Sequence, residues 1–359
     1  MTGCADTGHG PNMAKAREKL PSRLGVDLLQ SPLWRSGSGG LGPAHSICPP
    51  LNSRRIDDST MIAPDASTTV VNALSVDVED YFQVSAFASC IDRADWERLP
   101  CRVERNVDTL LELFAKRNAR ATFFTLGWVA ERYPQLVRRI VDAGHELASH
   151  GHAHLRASEQ TRAEFLADIT RARNVLQDIS GVEVMGYRAP SFSIGRGNLW
   201  AFDCLSEAGY RYSSSIYPVR HDHYGMPDAP RFPFTTTAGI VEVPISTMRA
   251  LGRNLPAGGG GYFRLLPYGL SRGAIRRFNR VEHRPAIFYL HPWEIDPEQP
   301  RIAQAGAKSR FRHYINLSRT LARLDRLLTD FRWGRVDQTF GIAAAGPADV
   351  FPTLALQPA

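Results

Sequence analysis

The chain has 359 residues, of which 43% are hydrophobic and 22% are charged, a balance typical of a globular protein and unlike that of a disordered or fibrous one. Its formal net charge is +7, but only four of the 43 basic side chains are lysines and the arginines are scattered rather than clustered. This pattern predicts no nucleic-acid partner. No segment approaches the roughly 18 to 20 apolar residues that a membrane-spanning helix needs.

The cysteines indicate a reducing compartment. There are five of them, an odd number, and none is paired in a CxxC motif or another metal-binding spacing. The segment 1–60 also lacks the short apolar core of a secretory signal peptide. We therefore expect a cytoplasmic protein with free thiols.

The amino-terminal part of the chain, up to position 68, is rich in Gly, Pro, Ser and Arg and shows neither helical nor strand periodicity. We predict that residues 1–68 form a disordered N-terminal extension. Met61 stands just before the first strand-like segment, so translation could start there, at Met13 or at Met1.

Strand-like and helix-like segments alternate from Val70 onward. The strands are predicted at "VVNALSVDVED", "RATFFTLG", "HELASH", "VEVMGYRAP", "GIVEVPIS" and "AIFYLHPW". Helices are predicted around residues 107–114, 136–141, 165–179 and 314–331, with a further unit over 199–214, from apolar residues at i, i+3, i+4 and i+7 spacing. This alternation predicts an α/β fold with a parallel sheet or barrel and helices outside.

Polar side chains stand where the predicted strands end. They are Asp77, Glu79 and Asp80 after the first strand, the cluster "SHGHAH" after the third, Arg188, and His291 after the last. Because the carboxyl ends of parallel strands meet at one face, we expect these side chains to converge.

Two histidines four residues apart, His150 and His154, have the spacing of metal ligands if the segment coils into a helical turn. A carboxylate from the end of "VDVED" would complete a site of two imidazoles and one acid that leaves positions free for water and substrate. A second nearby carboxylate could take a proton from that water. His152, between the pair, and His145 are expected to have packing or supporting roles.

Arg188 and His291 are candidates for two further roles. Arg188 precedes Pro190 by two residues, where the chain leaves a strand, and its guanidinium could hold a carboxylate with two hydrogen bonds. His291 ends the most apolar strand, an unfavourable place for an unpaired polar group. It is a candidate general acid.

Four of these motifs in this order resemble those of the NodB-type polysaccharide deacetylases, carbohydrate esterase family 4. The motifs are "ALSVDVEDYF", "SHGHAH", "YRAPSF" and "FYLHPW", within residues 70–295. The segments "VDVEDYFQVSAF", "GGGGYFR" and "SRFRHYINLSRTLARLDRLL" resemble more specifically the deacetylases associated with exopolysaccharide and exosortase gene clusters.

This resemblance implies a single catalytic domain over residues 69–295 with a distorted (β/α) barrel fold. Residues 296–340 are then a C-terminal extension packed on the barrel, and residues 341–359 a tail.

The resemblance also implies roles for single residues. Asp77 is expected to be the catalytic base, oriented by Arg188, and His291 the acid that protonates the leaving amine. His150 and His154 are expected to bind a divalent metal, zinc first, with cobalt, manganese or nickel as alternatives. Contacts with the sugar are expected from four further residues, namely Pro190, Ser191, Tyr262 and Trp293.

Three departures from the family pattern are present. Val78 replaces the usual second adjacent aspartate, so the metal carboxylate moves to Glu79 or Asp80. Glu79 is favoured because residues two apart on a strand share a face with Asp77, and Asp80 is held in reserve. Gly151 follows the first metal histidine in place of Ser or Thr, and "YSSS" at 212–215 lacks an acid that some relatives carry.

The expected activity is hydrolysis of N-acetyl groups from a hexosamine-containing polysaccharide or its lipid-linked precursor in exopolysaccharide biosynthesis. The partners are then the N-acetylated glycan and, peripherally, membrane-bound polysaccharide synthesis machinery. Two alternatives stay open, namely a hydrolase of a non-sugar amide or cyclic imide, and a catalytically idle carbohydrate-binding protein. The glycine run at 258–261 is either a flexible loop or backbone that lies against a sugar ring.

Overall fold

The computed structural model describes residues 70–221, 224–250, 252–344 and 351–357. The predicted disordered extension, residues 1–68, lies outside the described residues and stays a prediction. Three cysteines are described, Cys90, Cys101 and Cys204, and all three are free thiols.

A ten-stranded sheet forms the centre of the fold, and a two-stranded hairpin stands beside it. The strands of the sheet are β1 (Val71–Val78), β2 (Thr122–Thr125), β3 (Glu146–Ser149), β4 (Gly186–Tyr187), β5 (Tyr212–Ser213), β6 (Phe234–Thr236), β7 (Val241–Glu242), β10 (Ile287–Leu290), β11 (Arg332–Gly334) and β12 (Thr353–Leu354). The hairpin is formed by β8 (Thr247–Ala250) and β9 (Arg253–Pro256).

Strand pairing in the sheet is mostly parallel. The order is β10-β1-β2-β3-β4-β5-β7-β6-β12, with β11 also paired to the start of β1. Within this sheet only β6 and β7 pair antiparallel among the described strands. The α/β class and the mostly parallel sheet expected from the alternating segments are therefore confirmed.

The sheet curves so that the chain beyond β7 meets β10. Ser246 accepts a hydrogen bond from the Ala257 amide at 3.2 Å, and its Oγ accepts one from the Ile287 amide at 2.8 Å. The Tyr289 amide donates to the carbonyl of Gly258 at 2.7 Å. Single hydrogen bonds instead of a regular ladder thus join these two segments.

The glycine run lies directly against β10. A Cβ on Gly259, whose φ is +114°, would come within 2.1 Å of the Tyr289 carbonyl oxygen, and one on Gly258 within 2.6 Å of Ile245 Cγ2. The flexible loop expected for this run does not describe these positions, and the alternative, a contact with a sugar ring, stays a prediction. Glycine is needed here because two backbone segments approach too closely for a side chain.

Ten helices surround the sheet in the described residues. They are α1 (Val103–Lys116), α2 (Gly127–Arg132), α3 (Pro134–Asp142), α4 (Arg162–Ser180), α5 (Ala201–Glu207), α6 (Gly261–Leu265), α7 (Tyr268–Val281), α8 (Ala307–Tyr314), α9 (Leu317–Asp330) and α10 (Val336–Thr339).

Local sequence explains where the longest helix begins and ends. Thr161 and Glu164 form a reciprocal capping box at the start of α4, and Gly181 ends it with φ +71°. The apolar side of α4 carries Phe165, Ile169 and Leu176 into the core. The helix predicted over 165–179 and its buried apolar side are therefore confirmed.

The segment after residue 295 is built into the sheet. Strand β11 pairs with Val71–Ala73 of β1, and α9 buries Leu324, Leu327 and Leu328 in the same core cluster as β1 and β2. The helix expected over 314–331 is confirmed as α9 but begins three residues later, at Leu317, because Ile315 is extended and Asn316 is left-handed, with φ +53°. Two helices, α8 and α9, meet at this break.

Candidate active site

The end of β1 presents two buried carboxylates. Asp77 lies within the strand and Glu79 one residue beyond its end, and they are 2% and 3% exposed. A tight turn in which the Glu79 amide donates to the Asp77 carbonyl at 3.0 Å ends the strand. Both carboxylates face the same region, as the two-residue spacing predicted.

The histidine segment after β3 is an irregular loop, so the expected helical turn is wrong. Gly151 has φ +76° and His154 φ +51°, and the Asp168 carboxylate accepts hydrogen bonds from the amides of His152 at 2.9 Å and Ala153 at 3.3 Å. A side chain at Gly151 would also meet Asp168 at 2.8 Å. Glycine at this position is therefore a requirement of the loop.

Glu79, His150 and His154 bring one possible ligand atom each to within 4.8 Å of one another. Glu79 Oε2 lies 2.6 Å from His154 Nε2, and the two imidazole rings are 5.3 Å apart. His150 Nδ1 donates to the Arg188 carbonyl at 2.8 Å, which leaves its Nε2 as the free nitrogen. Burial lowers the pKa of His150 to about 4, so its neutral form dominates at pH 7.

These donors suit a divalent metal ion. Although Glu79 Oε2 is buried close to His154, none of the described residues donates a hydrogen bond of normal geometry to it. Burial alone would raise the pKa of Glu79, but His154 and His291 outweigh it and hold the pKa below its usual range. An ionised, buried oxygen beside two imidazoles is the donor set that zinc and similar cations accept.

Asp80, the alternative to Glu79 as metal ligand, has its side chain directed towards the start of α1. Its carboxylate accepts hydrogen bonds from the backbone amides of Tyr81 at 2.8 Å, Arg102 at 2.5 Å and Val103 at 2.8 Å. It therefore binds the amino end of α1, where unpaired amides favour a carboxylate. The structure separates Asp80 from the Glu79, His150 and His154 group.

Arg188 is fully buried and holds Asp77. Its Nη1 donates to Asp77 Oδ1 at 2.6 Å and to Ser75 Oγ at 2.8 Å, while its Nε and Nη2 donate to the carbonyl and hydroxyl of Ser214. The guanidinium also lies 4.1 Å over the Phe124 ring. One carboxylate oxygen is bound, in place of the two expected, and Asp77 Oδ2 is left facing the site.

His291 lies on the other side of the carboxylates. Its Nε2 is 3.9 Å from Asp77 Oδ2 and 3.5 Å from Glu79 Oε1, and its Nδ1 is 2.7 Å from Glu294 Oε1. Burial would lower the pKa of His291, but Glu79 and Glu294 outweigh it and raise the pKa to about 9. The side chain is 19% exposed, more open than the other charged groups of the site.

The residues expected to contact sugar are spread over different environments. Trp293 is 5% exposed and its indole nitrogen donates to Glu79 Oε1 at 3.1 Å, so a sugar-stacking role for it is wrong. Pro190 is buried. Ser191 and Tyr262 are half-buried, and Ser191 Oγ is bonded to Ser85 Oγ at 2.7 Å.

His152 and His145 lie away from the metal candidates. His152 packs against Gly127, whose added Cβ would meet its ring at 2.6 Å, and its Nε2 is 3.3 Å from Glu131. His145 lies between Phe114 and Phe123, and its Nδ1 accepts the Ala121 amide at 3.1 Å. The supporting and packing roles expected for them fit these positions.

The sequence interpretation missed two buried charges beside His291. Glu294 binds His291 with one oxygen, and its other oxygen accepts from Arg264 Nε at 2.7 Å. Arg264 outweighs burial and, with His291, lowers the pKa of Glu294 to about 2. The signal was present in "HPWE", since an acid three residues after a histidine lies within reach on a helical turn.

Two family models match consecutive segments of the chain. Residues 90–213 match the family model described as "Polysaccharide deacetylase". The chain contains a polysaccharide deacetylase domain. Its matched segment includes His150, His154 and Arg188, whereas Asp77 and Glu79 precede it. Residues 214–341, with His291, match a domain of unknown function, DUF3473.

Curated relatives of this deacetylase domain act on N-acetylated glycans according to their names. A peptidoglycan deacetylase of Helicobacter pylori is 29% identical over 32% of this chain and 38% of its own length. A peptidoglycan-N-acetylglucosamine deacetylase of Bacillus cereus is 30% identical over 26% and 34%. A chitooligosaccharide deacetylase of Sinorhizobium fredii is 32% identical over 27% and 43%. The chain thus spans less than half the length of these relatives.

A solved structure supports the fold over a longer part of the chain. A candidate polysaccharide deacetylase from Mycobacterium smegmatis superposes with a TM-score of 0.53 at 22% identity, covering 82% of this chain and 96% of that one. The likeness extends beyond the deacetylase domain into the second matched segment. Among the described helices, none combines the length and the apolar composition needed to cross a bilayer.

Proposed function

We propose that this chain hydrolyses N-acetyl groups on a polymer that contains hexosamine units, releasing acetate and leaving free amines. The deacetylase domain and the named peptidoglycan and chitooligosaccharide deacetylases support this proposal. The observation that carries it is the position of Asp77, a second carboxylate held by Arg188 beside the Glu79, His150 and His154 group. A site that only binds sugar needs no such pair of carboxylates.

Glu79, His150 and His154 would hold a divalent metal ion, with zinc as the first candidate and cobalt, manganese or nickel as alternatives. The orphaned Glu79 oxygen and the fixed tautomer of His150 support this assignment. When bound, such a cation supplies Lewis acidity for the acetamide carbonyl and for the attacking water.

Asp77 is proposed as the general base. Its Oδ1 is bound to Arg188, so its Oδ2 is the atom that accepts a proton from the water whose oxygen attacks the carbonyl carbon. Arg188 positions this carboxylate, and the burial of both groups excludes competing water contacts.

His291 is proposed as the general acid. Because Glu294 binds Nδ1 at 2.7 Å, Nε2 faces the carboxylates and is the nitrogen that donates. As the carbon–nitrogen bond breaks, its electron pair stays on nitrogen and the proton from His291 completes the amine. Acetate and the deacetylated sugar are the products.

We also propose a biological role for this activity. The resemblance of "VDVEDYFQVSAF" and of the segment after residue 295 to exopolysaccharide-associated deacetylases supports a role in exopolysaccharide biosynthesis, on the polymer or its lipid-linked precursor. Peripheral association with membrane-bound synthesis machinery would then bring the enzyme to its substrate.

The test is acetate release from a panel of substrates, measured with chelator, without chelator, and after zinc is added back. The panel contains N-acetylglucosamine oligomers, peptidoglycan fragments, simple non-sugar amides and cyclic imides. We expect release from the oligomers that stops with chelator and returns with metal. Turnover of the imides alone, or oligomer binding with no turnover in any metal, contradicts the proposal.

A further inference from the structure

Three aromatic rings form a continuous stack between α8 and the active site. The His313 ring lies 4.1 Å from the Trp293 ring at an interplanar angle of 13°, and the Trp293 ring lies 5.2 Å from His291 at 21°. His313 is 3% exposed. The stack therefore links the segment after residue 295 with the proposed acid.

Hydrogen bonds fix two members of the stack, His313 and Trp293. His313 Nε2 is 2.6 Å from Gln299 Oε1, and Gln299 Nε2 donates to the Trp293 carbonyl at 2.7 Å. Arg264 donates to the His313 carbonyl at 2.6 Å while it holds Glu294. His313 and Trp293 are thus locked in position relative to each other.

The middle ring of the stack contacts a proposed metal ligand. The Trp293 indole N–H donates to Glu79 Oε1 at 3.1 Å, and the other oxygen, Oε2, is left 2.6 Å from His154 Nε2. A hydrogen bond to one oxygen of a ligating carboxylate fixes which oxygen faces the ion. His313 in turn limits the rotation of the indole by covering its face.

We propose that Trp293 and His313 are positioning residues that orient Glu79 for metal binding, so that the segment after residue 295 takes part in building the site. The inference rests on the proposed metal-dependent function. It assigns to the DUF3473 segment a task that packing alone would not require, since a stack serving only the core needs no bond from the indole N–H to Glu79.

The test measures zinc affinity by competition with a chelator, on variants whose folding is checked by circular dichroism and thermal melting. Trp293→Phe keeps an aromatic ring but removes the N–H, and His313→Ala removes the end of the stack. We expect each to weaken zinc binding by roughly 10- to 100-fold and to lower kcat with little change in KM. His313→Phe, which restores a ring, should recover most of the affinity lost in His313→Ala.

Phe311→Ala is the matched control, because Phe311 is on the same helix but is 59% exposed. It should bind zinc like the wild type. In a two-dimensional ¹H–¹⁵N NMR spectrum, the indole N–H signal that is absent from Trp293→Phe is the signal of Trp293. In the wild type, this signal should shift when zinc is added.

Folded Trp293→Phe and His313→Ala variants with wild-type zinc affinity would overturn the inference, as would a wild-type chain that takes up no divalent metal. The proposed function fails separately. If zinc binds with the expected dependence on Trp293 but no N-acetylated sugar releases acetate, the positioning role stands and the deacetylase proposal is wrong.

Discussion

At the scale of single residues, the site depends on two carboxylates in neighbouring positions with different partners. Asp77 is held by Arg188, and Glu79 lies between His154 and the Trp293 indole. The two acids lie two residues apart in the chain, yet their contacts predict separate effects on turnover and on metal binding.

Asp77→Asn should keep its shape and its contact with Arg188 but lose the proton acceptor. We expect kcat to fall by roughly 10² to 10⁴ while zinc affinity is retained. Glu79→Gln should instead lower zinc occupancy, and excess zinc should restore part of the activity. Steady-state kinetics combined with metal analysis distinguishes the two, and loss of metal from Asp77→Asn alone would mean that the roles are exchanged.

The sequence located most of these residues because parallel strands deliver their carboxyl ends to one face. Asp77 lies at the carboxyl end of β1, and His150, Arg188 and His291 directly follow β3, β4 and β10, so their strand positions alone predicted that they converge. Asp80 could not be assigned this way, because the amides of Arg102 and Val103 at the start of α1 hold its carboxylate, and the strand period does not predict that contact. Trp293 was misjudged since an aromatic residue beside a site gives no sequence signal of its burial.

At the scale of secondary-structure elements, the glycine run joins β10 to the chain that follows β7. Gly259→Ala should be strongly destabilising, because the residue has φ +114° and its new Cβ would lie 2.1 Å from the Tyr289 carbonyl oxygen. We expect a loss of at least about 2 kcal/mol in the free energy of unfolding.

Gly273→Ala is the matched control, since Gly273 lies within α7 and an added Cβ there meets nothing within 4 Å. It should stabilise the chain by about 0.5 to 1 kcal/mol. Urea unfolding of both variants gives the comparison. Equal stability of the two variants would contradict the close backbone contact described for Gly259.

His145, directly before β3, should make the stability of the fold depend on pH. Burial lowers the pKa of His145 to about 4, whereas an unfolded histidine takes up its proton near pH 6.5. Between these values the unfolded chain binds more protons, so stability should fall as the pH drops from about 6.5 towards 4 and be fully present above 6.5. His145→Asn, which keeps an acceptor for the Ala121 amide, should flatten this fall. His283→Asn, at an exposed histidine, should not.

Elements with strong apolar periodicity were predictable, and those without it were not. The periodic segments gave α1, α3 and α4 close to their observed bounds. Helix α7 was missed because its sequence, "YGLSRGAIRRFNRV", mixes glycine and arginine with few apolar residues. The strands β8 and β9 have mostly half-buried or exposed residues, so alternation gave little signal.

At the scale of the whole molecule, the C-terminal segment shares the core of the deacetylase domain. Glu146 of β3 binds the Asp337 amide at 3.2 Å and the Tyr212 hydroxyl at 2.7 Å. Burial, with Asp337 nearby, raises the pKa of Glu146 above its ordinary range. The boundary between the two matched families, at residue 213, therefore divides one folding unit.

A chain that ends at residue 295 should fail to fold cooperatively. It loses β11 and the three buried leucines of α9. Burial of each leucine side chain contributes about 1.5 to 3 kcal/mol to the free energy of unfolding, which totals about 5 to 15 kcal/mol for a typical domain. Thermal melting followed by circular dichroism tests this. A chain that ends at residue 344 loses, of the described residues, only 351–357, which are half-buried or exposed, and should melt cooperatively. Similar melting of both chains would contradict the shared core.

Two conclusions about the whole molecule stay predictions. The cytoplasmic location is predicted from cysteine usage and from the composition of the segment 1–60. The independence of that segment from the rest of the chain rests on composition as well. A chain that begins at Met61 should have the melting temperature of the full chain.

The position of β1 also has a consequence during synthesis. Ala73 of β1 pairs with Ile287 of β10, so most of the chain must leave the ribosome before that edge of the strand finds its partner. At about 5 to 20 residues per second, the edge stays unpaired for roughly 10 to 40 seconds, exposing an apolar strand to other nascent chains. Ribosome-bound chains stalled before residue 287 should therefore be more sensitive to protease and bind more chaperone than chains stalled after residue 340.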